Sequence, residues 1–465
     1  TPATPRAQAG HRALTGMLAV LAAAAFGSGV FGTLPAGLSL MGGGMSLAAL
    51  LAFHSGWRQG RSVTRDGIAE LFFGALAVAG GLGLLLAAVQ VFMPSWADGT
   101  FIASPNMAGR AVGNLRQPNH FSTLLVFAAA GLAWLGARRR LRPGVAALGV
   151  ALCIGGIVLT ASRTGMVAMV FLTAWGVLDR RLPRTLRVTL VAAPLLYGAW
   201  WGGMWLLAHA DRAVAFAGET RLHDSSDISS SRFKIWANVL SLIQQHPWWG
   251  VGYGEFNLAW TLTPFPNRPV AFFDHTHNVV LQWAVELGLP AAIVLSLLAL
   301  WGWWSLVRPG SEGERQTGEP ATVGAAAVIV TTAGLHSLLE YPLWYVHFLL
   351  PVAFAWGLGL GTARMRDTHA LPETARTARR APDRRFGQVM LLAGVSLLIG
   401  TLWNLVDYRL AAEVYAPWSR HTPLAERIAT SQRQPWWGHQ ADYAAVTSQN
   451  LPGASPQPAD FSGTL

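Results

Sequence analysis

About eleven apolar stretches, most of them close to the length of a membrane-crossing helix and the pair 144–161 and 165–178 shorter, constrain this chain more than any other feature. They run over 13–33, 35–56, 67–93, 119–137, 144–161, 165–178, 188–208, 278–306, 322–339, 343–363 and 387–405. A helix rises 1.5 Å per residue, so about 20 apolar residues cross the ~30 Å hydrocarbon core. In that core every backbone N–H and C=O must be satisfied within the segment, which favours helices. The reading is an all-α polytopic membrane protein with about 11 transmembrane helices. Composition agrees, with 52% hydrophobic and only 12% charged residues, against about 25% charged in soluble domains.

The net charge is +11, but its distribution argues against a nucleic-acid partner. Lys234 is the only lysine, and the arginines sit in short clusters between apolar stretches, such as Arg138–Arg142 and Arg180–Arg187. That pattern marks cytoplasmic loops and orients the chain with its N-terminus inside. The segments 94–118, 162–164, 209–277 and 340–342 and the tail then lie on the non-cytoplasmic face. The organisation expected is a transmembrane domain over 1–405, with a large periplasmic loop at 209–277, and a periplasmic tail over 406–465. Cys153 is the only cysteine, which excludes an intrachain disulfide and a cysteine-built metal site. Thr1 in place of Met leaves residues expected ahead of it, and no cleavable signal peptide is evident.

Polar residues held at a membrane face are the candidates for chemistry. Gly113–His120 (GNLRQPNH) opens a span and brings Arg116, Gln117, Asn119 and His120 to the surface, as helix caps or as binding groups. Ser162-Arg163-Thr164-Gly165 forms the tip of a tight hairpin between two apolar helices. An arginine there contacts headgroups or binds phosphate, whose geometry a guanidinium matches. Residues Ser229–Ser231 are expected to cap an amphipathic helix that runs to Gln245. Its apolar side carries Phe233, Ile235, Trp236, Val239, Leu240, Leu242 and Ile243. Lys234, Asn238, Ser241 and Gln245 lie opposite. Arg232 falls in the apolar arc near the helix N-terminus, where free N–H groups favour anions. His275 and His277 lie where the large loop re-enters the membrane, next to Asn278. A histidine titrates near neutral pH and can act as a general base. Spacing alone leaves a structural role for His277 equally open. His336 and Glu340 are i,i+4 and can meet on one helical face, beside Tyr341. Dense carboxylate or HExxH patterns are missing, so no metal and no cofactor are expected.

Taken together and in this order, these segments resemble one family. Gly113–His120 and His336–Tyr345 (HSLLEYPLWY) resemble the bacterial O-linked, pilin-type oligosaccharyltransferases, within the superfamily of O-antigen ligases and polymerases. Ser162–Gly165, Ser231-Arg232, His246–Gly252 (HPWWGVG) and His277-Asn278 are similar to the superfamily's shared core. Trp437–Ala444 resembles the start of a C-terminal periplasmic domain, which implies that the tail is truncated.

The resemblance implies a glycosyltransferase that moves a glycan from undecaprenyl diphosphate to an acceptor hydroxyl on the periplasmic side. The reaction it implies is metal-independent and inverting. By position, His277 activates the acceptor, while Arg163 and Arg232 hold the diphosphate. Arg116, Gln117, His120, Asn278, His336, Glu340 and Tyr341 shape the substrate site. The implied partners are the lipid-linked donor, membrane lipid and a pilin-like protein acceptor. An O-antigen ligase using lipid A–core is the first alternative. A transporter for the lipid-linked glycan is the second, disfavoured because the polar candidates gather at one face rather than at midplane.

Overall fold

The computed structural model describes residues 4–62, 65–211, 214–223, 228–265, 273–308, 320–362, 384–416 and 422–448. Among them there are helices and no strands. A further arginine-rich segment, 364–386, which the same charge pattern places on the cytoplasmic side, lies almost wholly outside the described residues.

The chain opens with α1 (Pro5–Phe31), α2 (Ala36–Arg61) and α3 (Arg65–Phe92), followed by α4 (Pro118–Ala137). Next come α5 (Pro143–Leu159), α6 (Arg163–Leu178), α7 (Arg184–Val191) and α8 (Ala193–Ala210). The 209–277 region holds α9 (Ala217–His223), α10 (Ile228–Gln245) and α11 (Phe256–Leu262). After it run α12 (Val279–Val307), α13 (Pro320–Ser337) and α14 (Val346–Thr362). The last helices are α15 (Arg384–Tyr415), α16 (Leu424–Gln432) and α17 (Gly438–Thr447).

Among the described residues, 6 helices are long and apolar enough to cross a membrane, or 7 if α7 and α8 form one span. Helices α5, α6, α13 and α14 are apolar but shorter. The molecule is thus an all-α, multi-pass membrane protein. Leu71, Val78, Leu82 and Leu85 form an exposed stripe along α3; in water such a patch would be a liability, and in a bilayer it faces acyl chains.

The apolar stretch expected to span at 188–208 divides between α7 and α8, which meet at a 63° bend. Pro194 supplies the reason: it opens α8 without a backbone N–H, and its ring crowds the preceding turn. Helix α15 also runs past the apolar stretch that ends at 405, to Tyr415. Hydropathy marks where lipid contact ends, and nothing in Asn404–Tyr415 breaks a helix.

Two compact units emerge, one of residues 1–22 and 45–381 and one of 23–44 and 382–465. In the first, α4 is the buried centre, with Phe121, Leu125, Phe127 and Trp134 enclosed and α3, α5, α6 and α13 packed on it. Helix α12 is broken at Gly288 (φ 83°), just ahead of Pro290. The His246–Gly252 segment fills the break: Val251 N–H donates to Val285 O, Gly252 N–H to Glu286 O, and Leu289 N–H to Pro247 O. A Cβ on Gly288 would lie 2.2 Å from Trp248 O, and one on Gly250 2.3 Å from the Glu286 carbonyl carbon. The glycines of this motif therefore permit backbone to dock on backbone. In the second unit, Val414, Ile428, Ala441 and Ala444 form a small core. Trp436 N–H donates to Asp407 (3.0 Å), and Gln432 donates to Asp442 (2.8 Å).

Candidate active site

Gln117, Asn119, Arg232 and His336 converge on one carboxylate in the first unit. Helix α13 ends at Ser337, yet Glu340 N–H still reaches His336 O (2.8 Å), so the chain keeps its helical path for one more turn. This carries Glu340 under His336, whose Nε2 lies 3.4 Å from Oε2. Gln117 donates to the same oxygen at 2.6 Å. The other oxygen, Oε1, accepts from Arg232 and from Asn119, each at 2.6 Å. Four side chains from α4, α10 and α13 thus meet on a carboxylate that is only 8% exposed.

Burial pushes the Glu340 carboxyl upward, but the His336 hydrogen bond and charge, the Arg232 charge and the Asn119 hydrogen bond outweigh it. The net result holds Glu340 down at about 2. It is an anion under all ordinary conditions, and it fixes Arg232, which is 20% exposed. The Arg232 Nε is buried without a hydrogen-bond partner.

The network continues to the second arginine. Asn119 accepts from Ser162 Oγ at 2.6 Å, and Ser162 Oγ in turn accepts from Gly165 N–H (3.1 Å) as the N-cap of α6. Arg163 is the first residue of that helix and is exposed. The hairpin tip preceding it turns through Ala161 at φ 50°.

His277 sits directly before Asn278, which caps α12 by accepting from Val280 and Leu281 N–H. Asn278 also donates to Leu338 O (3.0 Å), tying the start of α12 to the end of α13. His277 adopts φ 58°, a left-handed conformation that costs on the order of 1–3 kcal/mol and persists only when its surroundings enforce it. Its Nδ1 lies 3.1 Å from His275 O. A carbonyl only accepts, so Nδ1 carries the proton and the neutral ring keeps its lone pair on Nε2. Burial lowers the His277 pKa first of all; the Glu340 charge and the His275 carbonyl raise it, Arg232 lowers it, and the net direction is down. The ring is therefore a base that remains neutral below the usual imidazole value.

Tyr341 joins the two histidines. Its ring stacks on His275 at 4.2 Å and 6°, and meets the His277 ring edge-on at 5.0 Å. Burial pushes its phenol upward, so it stays protonated. His120 is buried among His336, Tyr345 and Phe348. Arg116 turns aside: at φ 57° it donates to Gly99 O (2.7 Å) on the preceding loop, and no contact to Glu340 is seen among its bonds. Helix α10 begins at Ile228, so Ser229–Ser231 occupy its first turn rather than precede it. Its packed stripe is Ile235, Asn238, Val239, Leu242 and Ile243. Asn238 thus faces inward, while Phe233 and Leu240 are exposed, contrary to the wheel. The neighbours of a surface helix, not its polarity alone, choose the buried face.

His120, His336 and Glu340 bring ligand-type atoms within 4.8 Å of one another, a grouping that sequence spacing did not reveal. Their chemistry fits a hydrogen-bonded hub better than a cation site. Both Glu340 oxygens are taken up by N–H donors, and a guanidinium already neutralises the charge. The residues that sequence reasoning passed over are Asn119 as a bridge and Trp236, whose Nε1 donates to Thr276 O (2.9 Å) and ties α10 to the His277 loop. Asn119 was visible as a polar residue opening an apolar span; its partners, 43 and 221 positions away, were not.

Comparison with known proteins supports the class that this site suggests. Residues 148–296 match the family described as O-Antigen ligase, and residues 324–460 match a C-terminal region described as a virulence factor membrane-bound polymerase. Residues 111–135 match a family described as Protein glycosylation ligase. Each matched segment supplies part of the hub: Gln117 and Asn119 from one, Arg163, Arg232 and His277 from another, His336 and Glu340 from the third.

The chain is 30% identical over 258 residues to a General O-oligosaccharyltransferase of Acinetobacter baylyi, covering 54% of this chain and 43% of that protein. It is 26% identical over 259 residues to a ComP-specific O-oligosaccharyltransferase of the same organism, covering 55% and 45%. The aligned region is thus less than half the length of these relatives. The resemblance drawn from the motifs, to O-linked oligosaccharyltransferases of the O-antigen ligase superfamily, is borne out by these matches.

Proposed function

We propose that this protein is a glycosyltransferase that moves a glycan from undecaprenyl diphosphate to a hydroxyl of a protein acceptor, on the periplasmic side of the inner membrane. The observation that carries the proposal is the bonded path Arg232–Glu340–Asn119–Ser162, which ties one arginine to the cap of the helix that begins with the other. Two guanidiniums, one on the first residue of α6 and one just past the first turn of α10, suit a diphosphate, and the free N–H groups and dipole at the start of α6 add to the charge of Arg163.

In this reading the acceptor oxygen attacks the anomeric carbon as the bond to the diphosphate oxygen breaks. The acceptor proton passes to His277 Nε2, and the electron pair leaves with the lipid diphosphate. Glu340, already coupled electrostatically to His277, stabilises the imidazolium that forms. Arg163 and Arg232 stabilise the charge on the leaving group. The ring set of His275, Tyr341 and Trp344 walls the acceptor side. Inversion follows from a single displacement, and the step uses no metal.

The names of the relatives favour a protein acceptor, and the O-Antigen ligase match over 148–296 supports lipid A–core as the second reading. Transfer by the purified chain decides between them when lipid-linked glycan is offered with a Ser-containing pilin-like protein or with lipid A–core. Glycosylated protein, unchanged by chelator, is expected. Product on lipid A–core alone establishes the ligase, and no transfer to either acceptor overturns the proposal.

A further inference from the structure

Asn119 lies within the Gly113–His120 motif, but neither the motif nor the general chemistry of glycosyl transfer gives it a role of its own. It is the second residue of α4, held at the membrane surface where Pro118 opens the helix without a backbone N–H. Its amide has two faces and both are used. Nδ2 donates to Glu340 Oε1 and Oδ1 accepts from Ser162, each at 2.6 Å. The two bonds fix the amide orientation, since a carboxylate only accepts and the Ser162 hydroxyl must donate its single proton. Glu340 Oε1 also receives Arg232 at 2.6 Å, and Ser162 caps the helix whose first residue is Arg163.

We propose that Asn119 is a positioning residue that sets the spacing of the two arginines, so that both engage one diphosphate; the proposal rests on the anion-site reading above. The physical reason is selectivity for an amide. Aspartate at this position would set a second carboxylate against Glu340, and alanine would leave Ser162 and Glu340 without their link. Only a side chain that donates on one side and accepts on the other joins a carboxylate to a serine hydroxyl. Hydrogen bonds to charged groups contribute more than neutral ones, so loss of the link is expected to loosen Arg232 and the α6 start together.

The test uses the full chain in detergent, with inorganic pyrophosphate as the probe and binding as the readout. Asn119→Ala is expected to bind pyrophosphate about tenfold more weakly, the size expected for one hydrogen bond to a charged group. Asn119→Asp, nearly isosteric, supplies a signature that a purely structural role does not give. Two carboxylates in contact share one proton, which restores the donor. Its binding relative to wild type should therefore be close to unity at low pH and fall as pH rises and that proton leaves. The Asn119→Ala ratio should stay flat. The other ionisable groups around this point are Arg232 from α10, His336 from α13, and His120 and His277 nearby; wild type measured at each pH is the reference for both variants. If both Asn119 variants bind within twofold of wild type at every pH, while Arg163→Ala and Arg232→Ala lose binding, the positioning role is wrong and the anion site stands. If wild type and both arginine variants bind pyrophosphate equally or not at all, the anion site is wrong and this inference goes with it.

Discussion

Arg163 and Arg232 stand in similar sequence settings, each at the start of a helix beside a serine, and the fold treats them differently. Arg163 is exposed at the tip of a helical hairpin. Arg232 is largely enclosed and ion-paired at 2.6 Å with a buried carboxylate. Removal of the first, an exposed residue, is expected to cost the packed bundle less. The second compensates the charge of Glu340, so the proposed role of Arg232 and the stability of the bundle are joined at one residue. Two positions that read alike in sequence thus differ in what their removal should cost, and the difference can be measured.

The largest effect is expected at His277, which couples to the Arg232–Glu340 pair. His277→Ala should lower transfer by about 10²–10⁴-fold while leaving binding of the lipid-linked donor intact. The folded pKa is lowered, so the ring stays neutral and competent below the ordinary imidazole value. Wild-type transfer should then decline only as pH falls through that lowered value. A pH–rate profile with the alanine variant as control checks both points; normal turnover by the variant would remove His277 from catalysis.

Next is Arg232→Ala. It should cost about 10²–10³-fold in transfer and also destabilise the protein by roughly 3 kcal/mol, because breaking a buried pair leaves an uncompensated charge. Adding Glu340→Gln should recover most of the stability without recovering transfer. Thermal unfolding beside a transfer assay separates these terms, and an unfolding temperature equal to wild type in the single variant breaks the contrast with Arg163.

Arg163→Ala should lower transfer by about 10²-fold and shift stability by no more than about 0.5 kcal/mol, as for other surface positions. Arg163→Lys should restore little, because an ammonium lacks the bidentate fork. Large destabilisation on either substitution would mean that the hairpin tip is structural.

The smallest effect on transfer at ordinary pH is expected from the titration of Glu340, which acts on stability and only in acid. Its folded pKa, about 2, lies below the ordinary 4.5. A depressed carboxyl contributes stability that is fully present above the unfolded value and is lost as pH falls through the folded one. The difference in unfolding temperature between wild type and Glu340→Gln should therefore shrink from pH 4.5 downward and vanish near 2. A difference independent of pH would show that packing, rather than charge, carries the Glu340 contribution.

Much of this was determined by the sequence alone. Runs of apolar residues leave the backbone no partner but itself, so the helices and the membrane follow from composition along the chain. The i,i+4 spacing of His336 and Glu340 is a local property of a helix, and the pair does meet. The arginines, His277 and the motif residues were legible because ionisable groups are rare in such a chain. The tertiary structure decided what lies beyond one helical turn. It alone set Gln117, Asn119 and Arg232 on Glu340 across separations of 223, 221 and 108 residues. It turned Asn238 inward and Arg116 toward Gly99, and it filled the break in α12 with the glycine motif. Hydropathy and helical periodicity describe a segment's own face. A hydrogen bond between distant segments depends on which helices pack together, and that is a property of the whole bundle.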